Sequence, residues 1–149
     1  KLDSKYQYGV LLLKNPNVSV STSETYKKYS KKFCDGYFTS NEMINKIRDN
    51  LRDSSLNKLN FSNQPLNIKN DLQLVVQNEI DSVKQALYLL SNLKNCLTFA
   101  MSGSGPTCFA LFKDFETANN ELKENYDLFK NKGYDSWVCD FLEEGIAFI

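Results

Sequence analysis

The sequence contains no histidine. An imidazole normally accepts the proton of a catalytic serine or cysteine, and histidine is a ligand in most zinc sites. The chain therefore cannot build a Ser-His-Asp or Cys-His nucleophile. Most zinc sites are excluded as well, and we expect no metal site in this chain.

The chain also has no net charge, because 18 basic residues balance 18 acidic ones. Proteins that bind a nucleic-acid backbone or an anionic membrane usually carry an excess of positive charge. Here the charges alternate in sign along the predicted helices, which is typical of solvated surface. We therefore expect neither nucleic acid nor a membrane as a partner.

Cysteine is present four times but never as a C-x-x-C pair, and the four residues are far apart (Cys34, Cys96, Cys108 and Cys139). The last three lie in or beside apolar stretches, which favours reduced, buried thiols in a cytoplasmic type of protein. No apolar run approaches the roughly 20 residues that span a bilayer, and no signal peptide is visible. The chain does not begin with Met, so we expect it to be part of a longer protein.

The composition is typical of a globular protein, with 42% hydrophobic and 13% aromatic residues in a chain of 149. This length is enough for one domain with a buried core and short for two. The order of strands and helices along the chain then predicts the fold class.

The first part of the chain predicts a strand followed by a helix. The apolar run at residues 9–13 ends at a cluster of turn residues, which indicates a strand buried on both faces. Residues 18–20 alternate and predict a second extended piece. Ser21 and Glu24 form a capping box, which begins a helix that runs to about Phe33.

A second helix is expected where Thr39 and Glu42 form another capping box. Its apolar residues have helical spacing: Met43, Ile44, Ile47 and Leu51. The polar segment at residues 53–65 is rich in Asn and Ser and predicts a loop.

From residue 70 onward, the pattern predicts helix, strand, tight turn, strand, helix and strand. Asn70 would cap the first helix. The predicted elements are helices through 72–76 and 80–93, strands at 97–101 and 107–112, a helix at 115–130, and closing strands at 137–139 and 146–148. This order is most of a split β-α-β arrangement. The expected fold is therefore α+β, an antiparallel, ferredoxin-like sheet with helices on one face.

One local feature asks for a chemical explanation, the turn Ser102-Gly103-Ser104-Gly105-Pro106. Its two glycines allow positive φ, and successive amides in such a turn can form a nest that accepts an anion. It is not a Walker A loop, because no Gly-Lys-Ser/Thr follows. It is not a Rossmann fingerprint either, because the third glycine is missing and a strand follows. A plain β-hairpin turn is the alternative.

Three segments, in this order along the chain, resemble GHMP kinases. Residues 101–112 resemble the family's third motif, a glycine-rich loop in the C-terminal domain near the phosphate-binding loop of the N-terminal domain. Asn-Asp-Leu at residues 70–72 stands upstream of it. The resemblance brings Asp71 close to the loop, which it would brace, and the alternative is a first-turn helix charge favoured by the helix dipole. Residues 16–27 resemble the segment that marks the branch of the family with a cytidine diphosphate methylerythritol substrate.

The resemblance implies transfer of the γ-phosphoryl group of ATP, with Mg²⁺, to the 2-hydroxyl of that substrate, a step of the non-mevalonate isoprenoid (terpenoid) route. It implies that Tyr26 stacks on the cytosine ring, that Thr22 lies beside the methylerythritol part and that Lys27 borders the cytidine pocket. It also implies a loop close to the phosphate, made of Ser102, Gly103, Ser104 and Gly105.

The same resemblance implies that residues 1–20 are a strand segment joining to a missing N-terminal domain, and that residues 21–149 are the substrate-side C-terminal domain. The family's N-terminal motifs are absent, including the Pro-x-x-x-Gly-Leu-Gly-Ser-Ser-Ala loop and the catalytic Asp in its setting. No catalytic residue is therefore expected here. We expect the chain alone to be inactive and to bind no cofactor tightly. The enzyme is expected in the cytoplasm, or in the plastid stroma of a eukaryote.

Each candidate substrate residue has a structural alternative. Tyr26, Tyr29 and Phe33 are spaced as one helix face, which also fits a core position for Tyr26. Lys27 belongs to a run of lysines, which usually forms a solvated face. Thr22 fits a capping or turn hydroxyl.

Two other functions stay open at this level. Another GHMP kinase, of the homoserine or mevalonate type, would share the glycine-rich loop but not residues 18–27. A stand-alone ferredoxin-like binding module would explain the fold and the missing catalytic groups, but not the form of residues 102–112.

Overall fold

A computed structural model describes residues 8–33, 40–42, 44–45 and 68–140. Its elements, in chain order, are β1 (Gly9–Lys14), α1 (Thr22–Phe33), α2 (Gln73–Glu79), α3 (Asp81–Ser91), β2 (Thr98–Met101), β3 (Cys108–Phe112), α4 (Phe115–Asn131) and β4 (Asp135–Asp140).

The four strands form one sheet in the order β2-β3-β1-β4, and every neighbouring pair is antiparallel. β1 is an inner strand, because Leu11 pairs with Ala110 of β3 on one side and with Val138 of β4 on the other. Helices occupy the crossovers from β1 to β2 and from β3 to β4. This is the ferredoxin-like order, so the predicted α+β fold is confirmed.

The core lies between the sheet and its helices. Leu11 and Leu13 of β1 are fully buried there, and each such leucine contributes about 1.5–3 kcal/mol. They share one cluster with residues of α3 and α4: Val83, Ala86, Leu87, Leu90, Ala118 and Phe129. Val10 and Leu12, which alternate with them, are only half-buried. The prediction that this strand is buried on both faces is therefore wrong for one face, because the helices cover the other.

Most predicted elements are confirmed, with ends that agree within about three residues. The exception is the second extended piece, because residues 18–20 belong to no strand. A turn at Pro16 and Asn17 is followed by only four residues before α1 begins, which leaves little length for a further strand. A break between α2 and α3 falls at Ile80, whose backbone is extended.

The predicted second helix is only partly described. Asn41, Glu42, Ile44 and Asn45 are helical, in agreement with the prediction. The other residues invoked for that helix, the predicted loop at 53–65 and the predicted strand at 146–148 lie outside the described residues.

The cysteines differ in exposure. Cys108 is buried, Cys96 is partly buried and Cys139 is exposed, and all three are free thiols. Burial raises the pKa of the Cys108 thiol to about 12 and that of Cys96 to about 11, so both are protonated and unreactive near neutral pH. The expectation of buried thiols is wrong for Cys139, because it pairs with Val10 on the face of the sheet away from the core, whereas its neighbour Val138 packs against the core. Cys34 lies outside the described residues.

The described strand of the 1–20 segment, β1, belongs to the same sheet as β3 and β4. A boundary after residue 20 therefore does not separate β1 from the sheet of the domain, and how this segment joins the rest of a longer protein stays a prediction. None of the described helices has the length and apolar character needed to cross a lipid bilayer.

Tyr134 ties the end of α4 to α3. Its hydroxyl donates a hydrogen bond to the carbonyl oxygen of Ser82 at 2.6 Å and lies 3.2 Å from Oε1 of Gln85. Burial raises the pKa of Tyr134 to about 12, so the phenol keeps its proton and remains a donor. The ring itself belongs to the core cluster.

We predict that Tyr134→Phe lowers the free energy of unfolding by about 1 kcal/mol, because the Ser82 carbonyl loses its donor while the ring still packs. Equilibrium urea denaturation measures the change. Tyr126→Phe on the exposed side of α4 is the matched control and should change stability by less than about 0.5 kcal/mol. Equal values for the two variants would contradict the prediction.

Candidate functional site

The glycine-rich turn joins β2 to β3 as a tight hairpin. The Gly105 amide donates to the Ser102 carbonyl at 2.9 Å, and the Ser102 amide donates to the Thr107 carbonyl at 2.8 Å. Gly103 has a φ of +55° and Gly105 a φ of +82°, and the Gly105–Pro106 peptide is cis. A positive φ at the first central position only is the pattern of a type II′ turn, which explains glycine at residue 103.

The turn leaves two backbone donors without partners. Within the described part of the chain, no residue accepts a hydrogen bond from the amide of Gly103 or of Ser104. The Gly105 amide, in contrast, is occupied by the Ser102 carbonyl. Any anion held by backbone amides here would therefore be held by those of Gly103 and Ser104, which is a narrower nest than the sequence predicts.

Side chains from the segment before α2 and from its first turn hold the base of the hairpin. The Asn70 amide nitrogen donates to the carbonyl oxygens of Met101 at 2.7 Å and Gly103 at 2.8 Å. Its Oδ1 accepts a hydrogen bond from the Leu72 amide at 3.0 Å. Oε1 of Gln73 accepts a hydrogen bond from the Met101 amide at 2.8 Å. The N-cap residue of α2 is Leu72, so the prediction that Asn70 caps this helix is wrong; Asn70 lies two residues earlier and contacts the turn.

The N-terminus of α1 reaches the same turn. Ser21 precedes the helix, and its hydroxyl lies 3.4 Å from the Glu24 amide, which is one of the two hydrogen bonds of the predicted capping box. The hydroxyls of Thr22 and Ser104 are 2.7 Å apart. Further along α1, Lys28 forms an ion pair with Glu79 at the end of α2, with a distance of 2.6 Å between Nζ and Oε2. The first contact ties the start of α1 to the hairpin, and the ion pair ties the middle of α1 to the end of α2.

A cavity of about 540 Å³ lies between α1, the segment before α2 and the hairpin. This volume is in the range of small-molecule sites. Its lining residues are Thr22, Tyr26, Tyr29, Lys69, Asn70, Asp71, Leu72, Gly103 and Ser104. Tyr26 is 55% exposed, so its ring is available to a ligand and does not belong to the core.

The charges in the cavity are paired with each other. Nζ of Lys69 lies 3.0 Å from Oδ1 of Asp71, and both side chains are at least half exposed. The hydrogen bond to Asp71 raises the pKa of the Lys69 ammonium group. Lys69 is the only basic residue among the described lining residues, so this part of the chain brings little free positive charge to the cavity.

The structure brings together four of the residues predicted for the site, Thr22, Tyr26, Gly103 and Ser104, although they come from two distant segments. Ser102 and Gly105 shape the turn but do not line the cavity.

Lys27 is exposed and also lies outside the lining. A contact between Lys27 and a cytidine ligand stays a prediction, as do the binding roles of the other predicted residues.

Lys69, Tyr29 and Gln73 were not predicted as site residues. Tyr29 follows Tyr26 by three positions, so a shared helix face was a usable signal for it. Lys69 directly precedes the Asn-Asp-Leu segment, and this position was a usable signal that Lys69 lies near the glycine-rich turn. Gln73 gave no signal, because nothing local to a glutamine indicates which distant amide it meets.

No cluster of three or more acidic, cysteine or histidine side chains with the arrangement of a metal site occurs in the part of the chain that the structure describes. Asp71 is the only carboxylate among the described residues that line the cavity, and it is paired with Lys69. These residues do not by themselves fit a Mg²⁺ ion.

Sequence comparison gives two kinds of match. A profile of the C-terminal region of GHMP kinases matches residues 42–131. Proteins named 4-diphosphocytidyl-2-C-methyl-D-erythritol kinase from Prochlorococcus marinus strains MIT 9312 and AS9601 are 74% and 75% identical to this chain over all 149 residues. The protein of that name from strain NATL2A is 34% identical over 94% of the chain.

The chain spans about half the length of the curated relatives it matches, 48% for the strain MIT 9312 protein. Among solved structures, homoserine kinase from Cytophaga hutchinsonii resembles this fold with a TM-score of 0.51. The match covers 92% of this chain and 42% of that structure, at 19% sequence identity. It supports the fold and carries no information on substrate.

The surroundings of the two glycines in the turn predict that substitution by alanine lowers the free energy of unfolding by different amounts. At both positions the positive φ costs an L-residue about 1–2 kcal/mol. A β carbon at Gly103 meets no atom within 4 Å, whereas one at Gly105 lies 2.7 Å from the sulfur of buried Met101. We expect Gly105→Ala to lower the free energy of unfolding by about 1–3 kcal/mol more than Gly103→Ala does. Urea denaturation of both variants measures this difference, and the reverse order would contradict the geometry.

Proposed function

This chain belongs to the GHMP kinase family as its C-terminal domain, and from that premise we propose the activity of the longer protein. It transfers the γ-phosphoryl group of ATP to the 2-hydroxyl of 4-diphosphocytidyl-2-C-methyl-D-erythritol. The product feeds the non-mevalonate route to isoprenoids, and the enzyme acts in the cytoplasm or plastid stroma.

The observation that carries the proposal is the 74% identity over all 149 residues to a protein with this kinase name. The match includes the segment before and within α1, as well as the glycine-rich turn. These are two of the three regions that line the cavity.

The chemistry of phosphoryl transfer fits what the cavity offers. Such a reaction asks the protein mainly to position the reactants and to stabilise negative charge spread over the phosphoryl oxygens. The amides of Gly103 and Ser104 have no partner among the described residues, and side chains from outside the turn hold it in place, so these donors need little reorganisation to stabilise such charge.

The substrate's base would bind at α1. The exposed Tyr26 ring lies beside the same cavity as the turn, and an aromatic platform holds a nucleobase by stacking. Thr22 stands between the ring and the turn through its contact with Ser104, which suits the linker part of the substrate. Lys27, exposed on α1, is assigned to the border of the cytidine pocket.

The remaining parts of the machinery are assigned to the rest of the longer protein. The cavity's lysine is already paired with Asp71, so further cations are needed to balance a triphosphate. The Mg²⁺ ligands and the group that accepts the hydroxyl proton are also assigned there. ATP with Mg²⁺ is thus a substrate that two halves of one protein bind together.

We predict that the longer protein phosphorylates 4-diphosphocytidyl-2-C-methyl-D-erythritol with ATP, whereas the 149-residue chain alone gives no turnover, because it lacks the remaining charge and the proton acceptor. A coupled ADP-release assay with phosphorus NMR of the product measures both. Homoserine and mevalonate serve as competing acceptors. Faster turnover of either one by the longer protein, or turnover by the chain alone, would contradict the proposal.

We predict that Tyr26→Ala in the longer protein raises KM for the cytidine substrate about tenfold, since base stacking is worth about 1–3 kcal/mol. Tyr26→Phe keeps the ring and should keep KM within about twofold of the parent value. Tyr88→Ala removes another exposed tyrosine, from α3, and is the surface control. An unchanged KM for Tyr26→Ala would remove the stacking role, whereas an equal rise for Tyr88→Ala would indicate a nonspecific effect.

A further inference from the structure

The nitrogen and the oxygen of the Asn70 side chain both bind backbone groups. Its amide nitrogen donates to two carbonyls of the hairpin, those of Met101 and Gly103, and its oxygen accepts from the Leu72 amide. A carboxamide has two N–H donors, and both are used here on residues more than 30 positions away. The Asn70 side chain therefore binds the hairpin as well as the start of the short helix α2.

The bond to the Gly103 carbonyl controls the direction of the next amide. The peptide between Gly103 and Ser104 is planar and trans, so its C=O and N–H point in opposite directions. When Asn70 holds the Gly103 oxygen on one side, the Ser104 N–H is turned to the other. That amide is one of the two without a partner in the described chain.

The β-turn centred on Gly103 and Ser104 lies within the four-residue loop between Ser102 and Thr107, and it does not fix this peptide by itself. Gly103 has no Cβ to restrict its backbone, and nothing lies within 4 Å of where one would be. The bond from Gly105 to Ser102 closes the turn without touching the Gly103 carbonyl. The plane of the central peptide can therefore rotate in this turn unless an outside group holds it, and Asn70 is that group.

Gln73 fixes the neighbouring part of the hairpin. Its Oε1 accepts the Met101 amide hydrogen, and its Nε2 lies 3.2 Å from Oε1 of Gln77, which sets the orientation of the carboxamide. Met101 is thus held at both its N–H and its C=O, by Gln73 and Asn70 respectively. The side of α2 acts as a fixed support for the last residue of β2.

We infer that Asn70 is a positioning residue that orients the Gly103–Ser104 peptide, so that the Ser104 amide is presented to an anionic group in the cavity. The inference rests on the proposed function for the nature of that group, a phosphoryl group in transfer. Asp71, which the family resemblance suggested as the brace, pairs with Lys69, and the contact with the turn belongs to Asn70.

Asn70→Asp in the longer protein is the direct test. The substitution keeps the size of the side chain, removes both donors and puts a carboxylate next to two carbonyl oxygens. Asn78→Asp is the matched control, because Asn78 lies on the exposed side of α2 and donates only to the Leu74 carbonyl of its own helix. Asn70→Ala separates loss of the donors from the added charge.

We expect kcat for Asn70→Asp to fall about 100-fold, because a displaced donor is lost to the transition state. KM for the cytidine substrate should stay within about threefold of the parent value, since Tyr26 is untouched. The kcat of Asn70→Ala should fall by a smaller factor, and that of Asn78→Asp should equal the parent value. The folded fraction of each variant is measured by thermal unfolding at the assay temperature. A kcat loss that only matches the loss of folded protein, or equals that of Asn78→Asp, overturns the inference.

A second readout does not depend on activity. The amide resonance of Ser104, assigned from its loss in Ser104→Ala, is compared between the parent, Asn70→Asp and Asn78→Asp. A displaced resonance in the first variant alone supports the inference, and an unchanged one overturns it. Absence of turnover in the parent protein would overturn the proposed function and leave this resonance to decide the role of Asn70.

Discussion

The insertion of β1 between β3 and β4 is the constraint on which the rest of the domain depends. β1 lies near the start of the described chain, and both of its partners lie more than 90 residues later. Burial of Leu11 and Leu13 against the helices makes this long-range pairing favourable. Once β1 is in place, its partner β3 and the hairpin to β2 have a fixed position. The two strands that flank the glycine-rich turn are then held in the sheet, which fixes the position of the turn.

The cavity arises where this tip meets the helical layer. The core ends at Met101, which is buried, and the next residues leave the sheet. Polar contacts replace apolar ones at that point, because the turn's carbonyls and amides need partners once the ladder stops. Asn70 and Gln73 bind backbone groups of Met101 and Gly103 from the side of α2, and the Thr22 hydroxyl of α1 contacts the Ser104 hydroxyl. The packing that completes the fold thus also shapes the wall of the site.

The charge in this cavity determines which groups of the proposed reaction this chain supplies and which come from elsewhere in the longer protein. The chain offers backbone amides, an exposed tyrosine ring and hydroxyls, which position a ligand and stabilise spread charge. Its lysine is balanced by Asp71, so full neutralisation of a triphosphate needs groups from elsewhere. The proposed reaction therefore draws these groups from the rest of the longer protein. This arrangement is consistent with a chain that spans half the length of its relatives.

Local patterns in the sequence determined the elements, the helix cap at Ser21 and the tight turn, because periodicity, capping residues and glycine act over a few neighbouring positions. They also gave the fold class, since the order of elements limits the possible sheets. The partners of β1, the exposure of Tyr26 and the use of the Gly105 amide within the turn were decided only by the tertiary structure. The same holds for Asn70, which reads as a helix cap in the sequence. Its two acceptors lie 31 and 33 residues away, and only the folded sheet brings them within hydrogen-bonding distance.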